Sequence, residues 1–346
     1  MRCRGMLVLL AGLGLGFLSH AQNDPAGPTS EKAQKAYKQA LEDLKQRMTA
    51  SALDNFKKAD KQDDKKCPAC QQKMIEYGIQ LEDWKTAVTA GEEMVAEAQG
   101  AKDTALAHYE LGVICMKEGL QKHKEEPFER AHDEMTKALS ASANFPDAVF
   151  VDGRILALLK QDDAAKARFE QFVKMTPAED PVRERALRYI SEPDLARARM
   201  APAFSITTID GQHLSMDALK GKVVLIDFWA TWCEPCRAAL PHIREIAKKF
   251  EGQPLLVLSV NLDEDEQKWR DFVTKNEMTW PQYGGDGGFR GPMAKLFGVQ
   301  AIPQTFTIDA DGILQDQHIG DASIEGKLKK LVSRARELQA AETSKP

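Results

Sequence analysis

Several features are scarce in this sequence, and each scarcity removes a class of function. No histidine follows either of its two Cys-x-x-Cys pairs: residue 71 is Gln and residue 237 is Arg. Covalent haem attachment, which needs Cys-x-x-Cys-His, is therefore excluded. Cys67 and Cys70 have no second cysteine pair beside them, and the nearest histidine in sequence is His108, which leaves them short of the four ligands of a structural zinc site. The remaining histidines show no ligand or triad spacing, so neither a metal nor a separate cofactor is expected. An excess of charge of one sign is also missing. Lys and Arg number 47 against 52 Asp and Glu, a formal net charge of −5, which gives no reason to expect nucleic acid or an anionic membrane surface as a partner. The apolar run "MLVLLAGLGLGFL" at 6–18 is short for the ~20 residues of a membrane-spanning helix.

That run has a different explanation. Arg2 and Arg4 precede it, small Ser19 and Ala21 follow it, and polar "QNDPAGPTS" comes next. A basic region, an apolar region and a small-x-small site make a secretory signal peptide over 1–21, with cleavage expected before Gln22. The alternative is an uncleaved segment that anchors the chain to the outer face of the inner membrane. Cys3 precedes the apolar run, so it is no lipid-attachment site and leaves with the peptide. The exported chain keeps Cys67, Cys70, Cys115, Cys233 and Cys236. Outside the cytoplasm a cysteine pair is either a structural staple or a working redox centre.

The chain is 346 residues long, 43% apolar and 29% charged, enough to build cores in two domains. Residues 22–30 read as a flexible leader. From 31 to 177 the pattern is helical, with segments at 31–58, 68–81, 84–98, 103–119, 127–140, 147–160 and 164–175. Weak internal similarity runs through them. "PDAVFVDGRILALLKQDDAAKARFEQFVKMTP" carries Gly153, Ala165, Phe169 and Pro177 at tetratricopeptide spacings, and Leu111-Gly112 and Asp83-Trp84 mark two degenerate units. Such arrays present a binding groove for a protein partner; the alternative is a spacer. Residues 178–202 form a linker with three prolines and a basic helical piece.

Periodicity then changes. "AFSITTIDGQHLSM" alternates around Asp210-Gly211, a hairpin signal. "KVVLIDFWA" at 222–230 is a near-continuous apolar run, as expected of a strand covered on both faces. A helix from Cys233 to Phe250 bent at Pro241, a strand at 254–262, a helix at 265–276, a hairpin around Asp311-Gly312 and a helix at 323–340 follow, with a tail at 341–346. The fold class is a helical repeat-like N-terminal domain plus an α/β domain with a mixed sheet over 203–340.

"IDFWATWCEPCRAALP" places Cys233 and Cys236 where a buried strand meets a helix. Unpaired N–H groups and the helix dipole favour a thiolate at that point, making Cys233 the nucleophile. Cys236, one turn on, is placed to resolve a mixed disulfide. The segment resembles the active site of the thioredoxin superfamily and is most similar to the TlpA/ResA-like secreted thiol–disulfide oxidoreductases. The resemblance spans about 200–340. It rests on Phe228-Trp229, Trp232, Cys233, Glu234, Pro235, Cys236 and Pro241, on "VNLD" at 260–263, and on "FGVQAIPQTFTID" at 297–309.

The resemblance implies a cis Ile302–Pro303 bond, with Pro303 against the cysteines and the backbone at Ile302 pairing with substrate. It implies that Asp227 is a buried proton shuttle for Cys236, the alternative being an Asp satisfied by backbone donors. It also implies reduction of disulfides in exported proteins, apocytochromes awaiting haem among them, with a membrane thiol-electron carrier as reductant. Glu234, an acid beside the thiolate, makes the pair less oxidising, unless it is merely solvated; Arg237 offsets part of its charge. Trp229 and Trp232 read as walls of the site, with Trp232 touching substrate. Two other functions compete: a peroxiredoxin-like peroxidase, for which Thr231 lies two residues before Cys233, and a tetratricopeptide-type adaptor with an accessory thioredoxin-like module.

Cys67-Pro68-Ala69-Cys70 has a Pro suited to a first helical turn but no strand before it and the charged flank "DKQDDKK". Three readings stay open for it: a local disulfide staple, a second electron-relaying dithiol, or free core thiols. Cys115, on an apolar helical face, reads as a core residue.

Overall fold

The computed structural model describes residues 26–319 and 324–343. The signal segment at 1–21 lies outside them, and among the described residues no helix is long and apolar enough to cross a membrane. The chain divides into two compact units.

The first unit includes α1 (Glu31–Lys45), α2 (Thr49–Gln62), α3 (Pro68–Gln80), α4 (Trp84–Glu97), α5 (Gly100–Lys122), α6 (Glu126–Ala141), α7 (Pro146–Leu158) and α8 (Asp162–Met175), together with residues 186–197. They pack as consecutive pairs, α1 with α2 through to α7 with α8. Side-chain caps start several of them. Ser30 Oγ accepts from Ala33 N–H at 3.2 Å, and Asp83 Oδ1 accepts from Thr86 N–H at 3.1 Å. Small residues set the approach within pairs. A Cβ on Gly153 of α7 would lie 2.8 Å from the Phe169 ring of α8, and one on Gly112 of α5 would lie 3.2 Å from the Ala131 carbonyl of α6.

The segment read as one helix over 31–58 is broken at Gln46–Met48, with Arg47 in the left-handed region (φ 60°). Nothing in the local sequence marks this break, since it contains neither Gly nor Pro. The break is held by Asp43, which is 2% exposed and accepts from Ser51 Oγ at 2.7 Å and Asn55 Nδ2 at 2.8 Å, both on the next helix. From residue 26 onward the leader is also tied down. Thr29 and Ser30 donate their N–H groups to the Asp63 carboxylate at 3.0 and 2.8 Å, and the Ala26 carbonyl accepts from Ala69 N–H at 3.2 Å.

The stretch 178–202 carries two helices, α9 (Pro181–Ser191) and α10 (Pro193–Arg197). Arg185 belongs with the second unit. There its Nε donates to both Asp217 oxygens, at 2.6 and 2.9 Å, and its Nη1 donates to the Ala201 carbonyl at 2.9 Å.

In the second unit, β1 (Ser205–Thr207) and β2 (His213–Ser215) form a hairpin. Next come β3 (Val223–Trp229), α11 (Glu234–Lys249), β4 (Leu255–Asn261), α12 (Glu266–Lys275), β5 (Gln282–Tyr283), α13 (Pro292–Phe297), β6 (Gln304–Ile308), β7 (Leu314–Ile319) and α14 (Glu325–Thr343). The main sheet has the order β5-β4-β3-β6-β7. Strand β3 is parallel to β4 and antiparallel to β6, so the sheet is mixed and the architecture is thioredoxin-like. All seven β3 residues are buried. Strand alternation sends Val223, Leu225 and Trp229 into a core with Leu240, Ile243 and Ile246 of α11 and Leu328 and Val332 of α14. Val224, Ile226 and Phe228 face the opposite core, with Phe297 of α13 and Leu214 of β2.

Helix α14 runs past the expected start of the tail at 341. Strand β5 and helix α13 lie in a stretch with no sequence assignment; two and six residues are too short to show a period.

Replacing Gly153 by Val pushes a branched side chain against the buried Phe169 ring. It is expected to cost the helical unit about 2–3 kcal/mol, read as an earlier transition in a urea melt followed by far-UV circular dichroism. An unchanged melt would mean that the α7–α8 contact yields easily.

Candidate active site

The end of β3 and the start of α11 build this site. Strand β3 stops at Trp229, a short loop follows, and Cys233 becomes the N-cap of α11. Its Sγ accepts from Cys236 N–H at 3.2 Å, and its carbonyl accepts from Arg237 N–H at 3.1 Å. Cys233 and Cys236 form a disulfide with Cα atoms 5.3 Å apart. Both cysteines are buried, Cys233 at 5% and Cys236 at 2% exposure. Glu234, Pro235 and Arg237 line the exposed side of the first turn.

The loop before Cys233 is clamped from the end of β4. Asp263 accepts from the Thr231 N–H at 2.8 Å and from the Thr231 hydroxyl at 2.6 Å. Asn261 Nδ2 donates to the same carboxylate at 2.7 Å. The "VNLD" segment thus acts as a brace, and the Thr231 hydroxyl is spent on Asp263.

Asp227 is 4% exposed and lies on the β3 face shared by Leu225 and Trp229, the face that packs against α11. Burial pushes its carboxyl up to about 7, and the Ser259 hydroxyl opposes this only weakly, donating at 3.4 Å. Ser259 stands opposite Asp227 across the β3–β4 ladder and accepts from the Trp280 indole N–H at 2.8 Å. That indole fixes the serine oxygen as an acceptor, leaving its own proton to point at Asp227. Ser259 and Trp280 were missed from sequence. Strand pairing brings them to Asp227, and neither lies in a motif.

The Ile302–Pro303 bond is cis. Pro303 is buried, and half-buried Ile302 packs against the cluster that contains Cys233 and Cys236. Trp229 is a fully buried core residue, whereas Trp232 is 54% exposed. The Trp232 ring lies 6.4 Å from that of Phe289, which is itself exposed. Both line a groove of about 500 Å³ with Leu262, Glu264, Lys268 and Arg290. Phe289 and Arg290 were also missed from sequence, since they sit in a Gly-rich loop without periodicity.

Of the other cysteines, Cys115 is buried and in neither disulfide; burial pushes its thiol up to about 12. Cys67 and Cys70 form a second disulfide, which removes the free-thiol reading for that pair. Among the described residues no group of three or more His, Cys, Asp and Glu side chains is arranged to hold a metal ion.

Comparison with known proteins places this geometry. The profile of the AhpC/TSA family matches residues 198–317. Thioredoxin-like protein YneN of Bacillus subtilis is 32% identical over 143 residues, covering 40% of this chain and 81% of that protein. Thiol-disulfide oxidoreductase ResA of Bacillus thuringiensis is 32% identical over 134 residues, covering 38% of this chain and 76% of that protein. A solved thiol-disulfide oxidoreductase from Bacteroides fragilis is 27% identical, over 38% of this chain and 98% of that one, with a TM-score of 0.36. A Cys-x-x-Cys disulfide at a helix N-terminus and this degree of identity lead to one conclusion: the chain belongs to the ResA-like thiol–disulfide oxidoreductases of the thioredoxin superfamily.

Proposed function

We propose that this protein is an exported reductase of protein disulfides. The observation that carries the reading is a buried carboxyl, Asp227, on the sheet face beneath a Cys-x-x-Cys disulfide at the start of α11. In the reduced enzyme the Cys233 thiolate attacks a substrate disulfide. The substrate S–S bond breaks, a mixed disulfide forms, and one substrate sulfur leaves as a thiolate that takes a proton from solvent. Asp227 as carboxylate draws the proton from Cys236. The Cys236 thiolate then attacks Cys233 Sγ, releasing the second substrate thiol and closing the Cys233–Cys236 disulfide. A membrane thiol-electron carrier returns two electrons to the pair. Substrate chains dock against Trp232, Ile302 and the cis-Pro303 loop.

The basic residues, apolar run and small-x-small site at the N-terminus support export to the periplasm, with an anchored form as the alternative. Disulfide-containing exported proteins, apocytochromes included, are the substrate class. The paired helices of the first unit, with Gly78 close to Ala87 and Gly153 close to Phe169, support a tetratricopeptide-like array that holds a protein partner.

A peroxidase is the second reading, favoured by the AhpC/TSA profile match. It needs the Thr231 hydroxyl at the reactive sulfur, and that hydroxyl is bonded to Asp263.

Cys236→Ala is expected to hold covalent mixed disulfides with envelope proteins on non-reducing gels, and Cys233→Ala to hold none. Equal trapping by both variants sinks the exchange reading, while undiminished peroxide consumption by Cys236→Ala favours the peroxidase.

For Asp227 the sign is set by its raised pKa. The folded state keeps the proton that the unfolded chain loses above the ordinary carboxylate range. The contribution of Asp227 to stability is therefore fullest below about pH 4 and falls as pH rises toward about 7. Asp227→Asn should thus gain a few kcal/mol over the wild type at pH 8 and nothing at pH 3, by denaturant melts. The same variant should slow mixed-disulfide resolution roughly 100-fold at pH 7; an unchanged rate removes the proton role.

Glu234→Gln should make the pair a weaker reductant. The expected change is about two- to fivefold in the equilibrium constant against glutathione, the weight of one exposed charge; no change means that Glu234 is simply solvated.

A further inference from the structure

The Cys67–Cys70 pair repeats the local design of the active pair. Cys67 is the N-cap of α3, Pro68 sits in the first turn, and Cys67 Sγ accepts from Cys70 N–H at 3.2 Å. The Cα atoms are 5.2 Å apart. A carboxyl is again buried beside the pair. Asp60 of α2 is 2% exposed, and the Cys67 backbone N–H points to it.

Here the carboxyl is doubled. Asp60 faces Glu93 of α4, and Asp60 Oδ1 and Glu93 Oε2 are both buried without a hydrogen-bond donor. Burial and the neighbouring Glu93 charge both favour a proton on Asp60. The other Glu93 oxygen takes Lys65 Nζ at 2.8 Å. Glu97 of α4 accepts from Gln71 Nε2 at 3.1 Å and adds negative charge, and Tyr37 of α1 packs on the cluster around both cysteines.

A staple alone does not explain this arrangement. A disulfide that closes a loop of two intervening residues constrains the unfolded chain least of all, and two buried carboxyl oxygens without a donor, Asp60 Oδ1 and Glu93 Oε2, cost stability.

The geometry points to a second redox centre, in which the Cys67–Cys70 disulfide is opened by an external dithiol and the Asp60–Glu93 pair supplies the proton to the leaving sulfur. A thiolate of the external dithiol attacks one sulfur, the Cys67–Cys70 bond breaks, and a mixed disulfide forms. The displaced cysteine leaves as a thiolate inside the helical unit and takes the proton held on Asp60 beside Glu93. The second external thiolate attacks the mixed disulfide, oxidising the external dithiol. It releases the other cysteine, which is protonated from solvent through the refilled acid pair. Two electrons and two protons pass to Cys67 and Cys70. Both cysteines are 0% exposed, so attack follows local opening.

The test uses the full chain with Cys233→Ala and Cys236→Ala, so a failure of the active-site mechanism leaves it unaffected. Reduction of Cys67–Cys70 by dithiothreitol is followed by alkylation and mass, alongside far-UV circular dichroism. The pair should be reduced while the helical signal is intact. With the Asp60 carboxyl pushed up to about 7, the rate per dithiothreitol thiolate should fall roughly tenfold between pH 6 and pH 8. In Asp60→Asn that rate should be flat with pH, and Glu93→Gln provides the same reading should the first variant fail to fold. Reduction that proceeds only as the helical signal is lost overturns the proposal, as does a wild-type pH profile in a folded variant.

Discussion

The catalytic unit depends on the burial of one strand. Because β3 is covered on both faces, its alternation leaves Asp227 no route to solvent. A carboxyl at that position is enclosed by Leu225, Trp229 and the inner side of α11. Water is replaced by a single serine hydroxyl, and the neutral form becomes the stable one near pH 7. The same strand ends where α11 must begin, so the first residue past the loop receives the unpaired N–H groups of that helix. One covered strand thus positions both the buried carboxyl and the helix start that carries Cys233, and the Asp263 brace holds the loop that joins them.

The two disulfides show how far a four-residue pattern carries. Both have proline in the first turn, and in both the N-cap sulfur accepts from the N–H three residues on. What differs is how each carboxyl is buried. At Cys233–Cys236 it is a lone acid on a strand, its neighbour a serine oriented by Trp280. At Cys67–Cys70 it is a pair of acids between helices, where repulsion adds to desolvation. Either environment pushes a carboxyl, Asp227 or Asp60, up to about 7, well above the range of an exposed Asp or Glu.

Much of the second unit was legible because its signals are local. The apolar run at 222–230 can be satisfied only by a doubly covered strand, and Asp-Gly at 210–211 and 311–312 marks reversals that L residues resist. "TWCEPC" carries its chemistry in adjacent residues. Illegible features arise from contacts distant in sequence. Ser259 and Trp280 reach Asp227 through pairing of β3 with β4 and a turn twenty residues on. Phe289 meets Trp232 from a loop with no period. The break at Arg47 occurs among good helix formers because Asp43 collects donors from the following helix, and propensity yields to a buried carboxylate that needs partners.

By itself the sequence determined which residues can exchange disulfides, since spacing, a proline and a helix start are properties of a dozen consecutive positions. It also determined that two architectures follow one another, because hydrophobic period is written along the chain. Tertiary structure decided which acids sit in the dark. Asp60 and Glu93 look like any other carboxylates in a chain with 52 of them, and Asp227 stood out only through the resemblance of its position. Only packing removes their water, and that loss of water is what pushes the Asp60 and Asp227 carboxyls up to about 7.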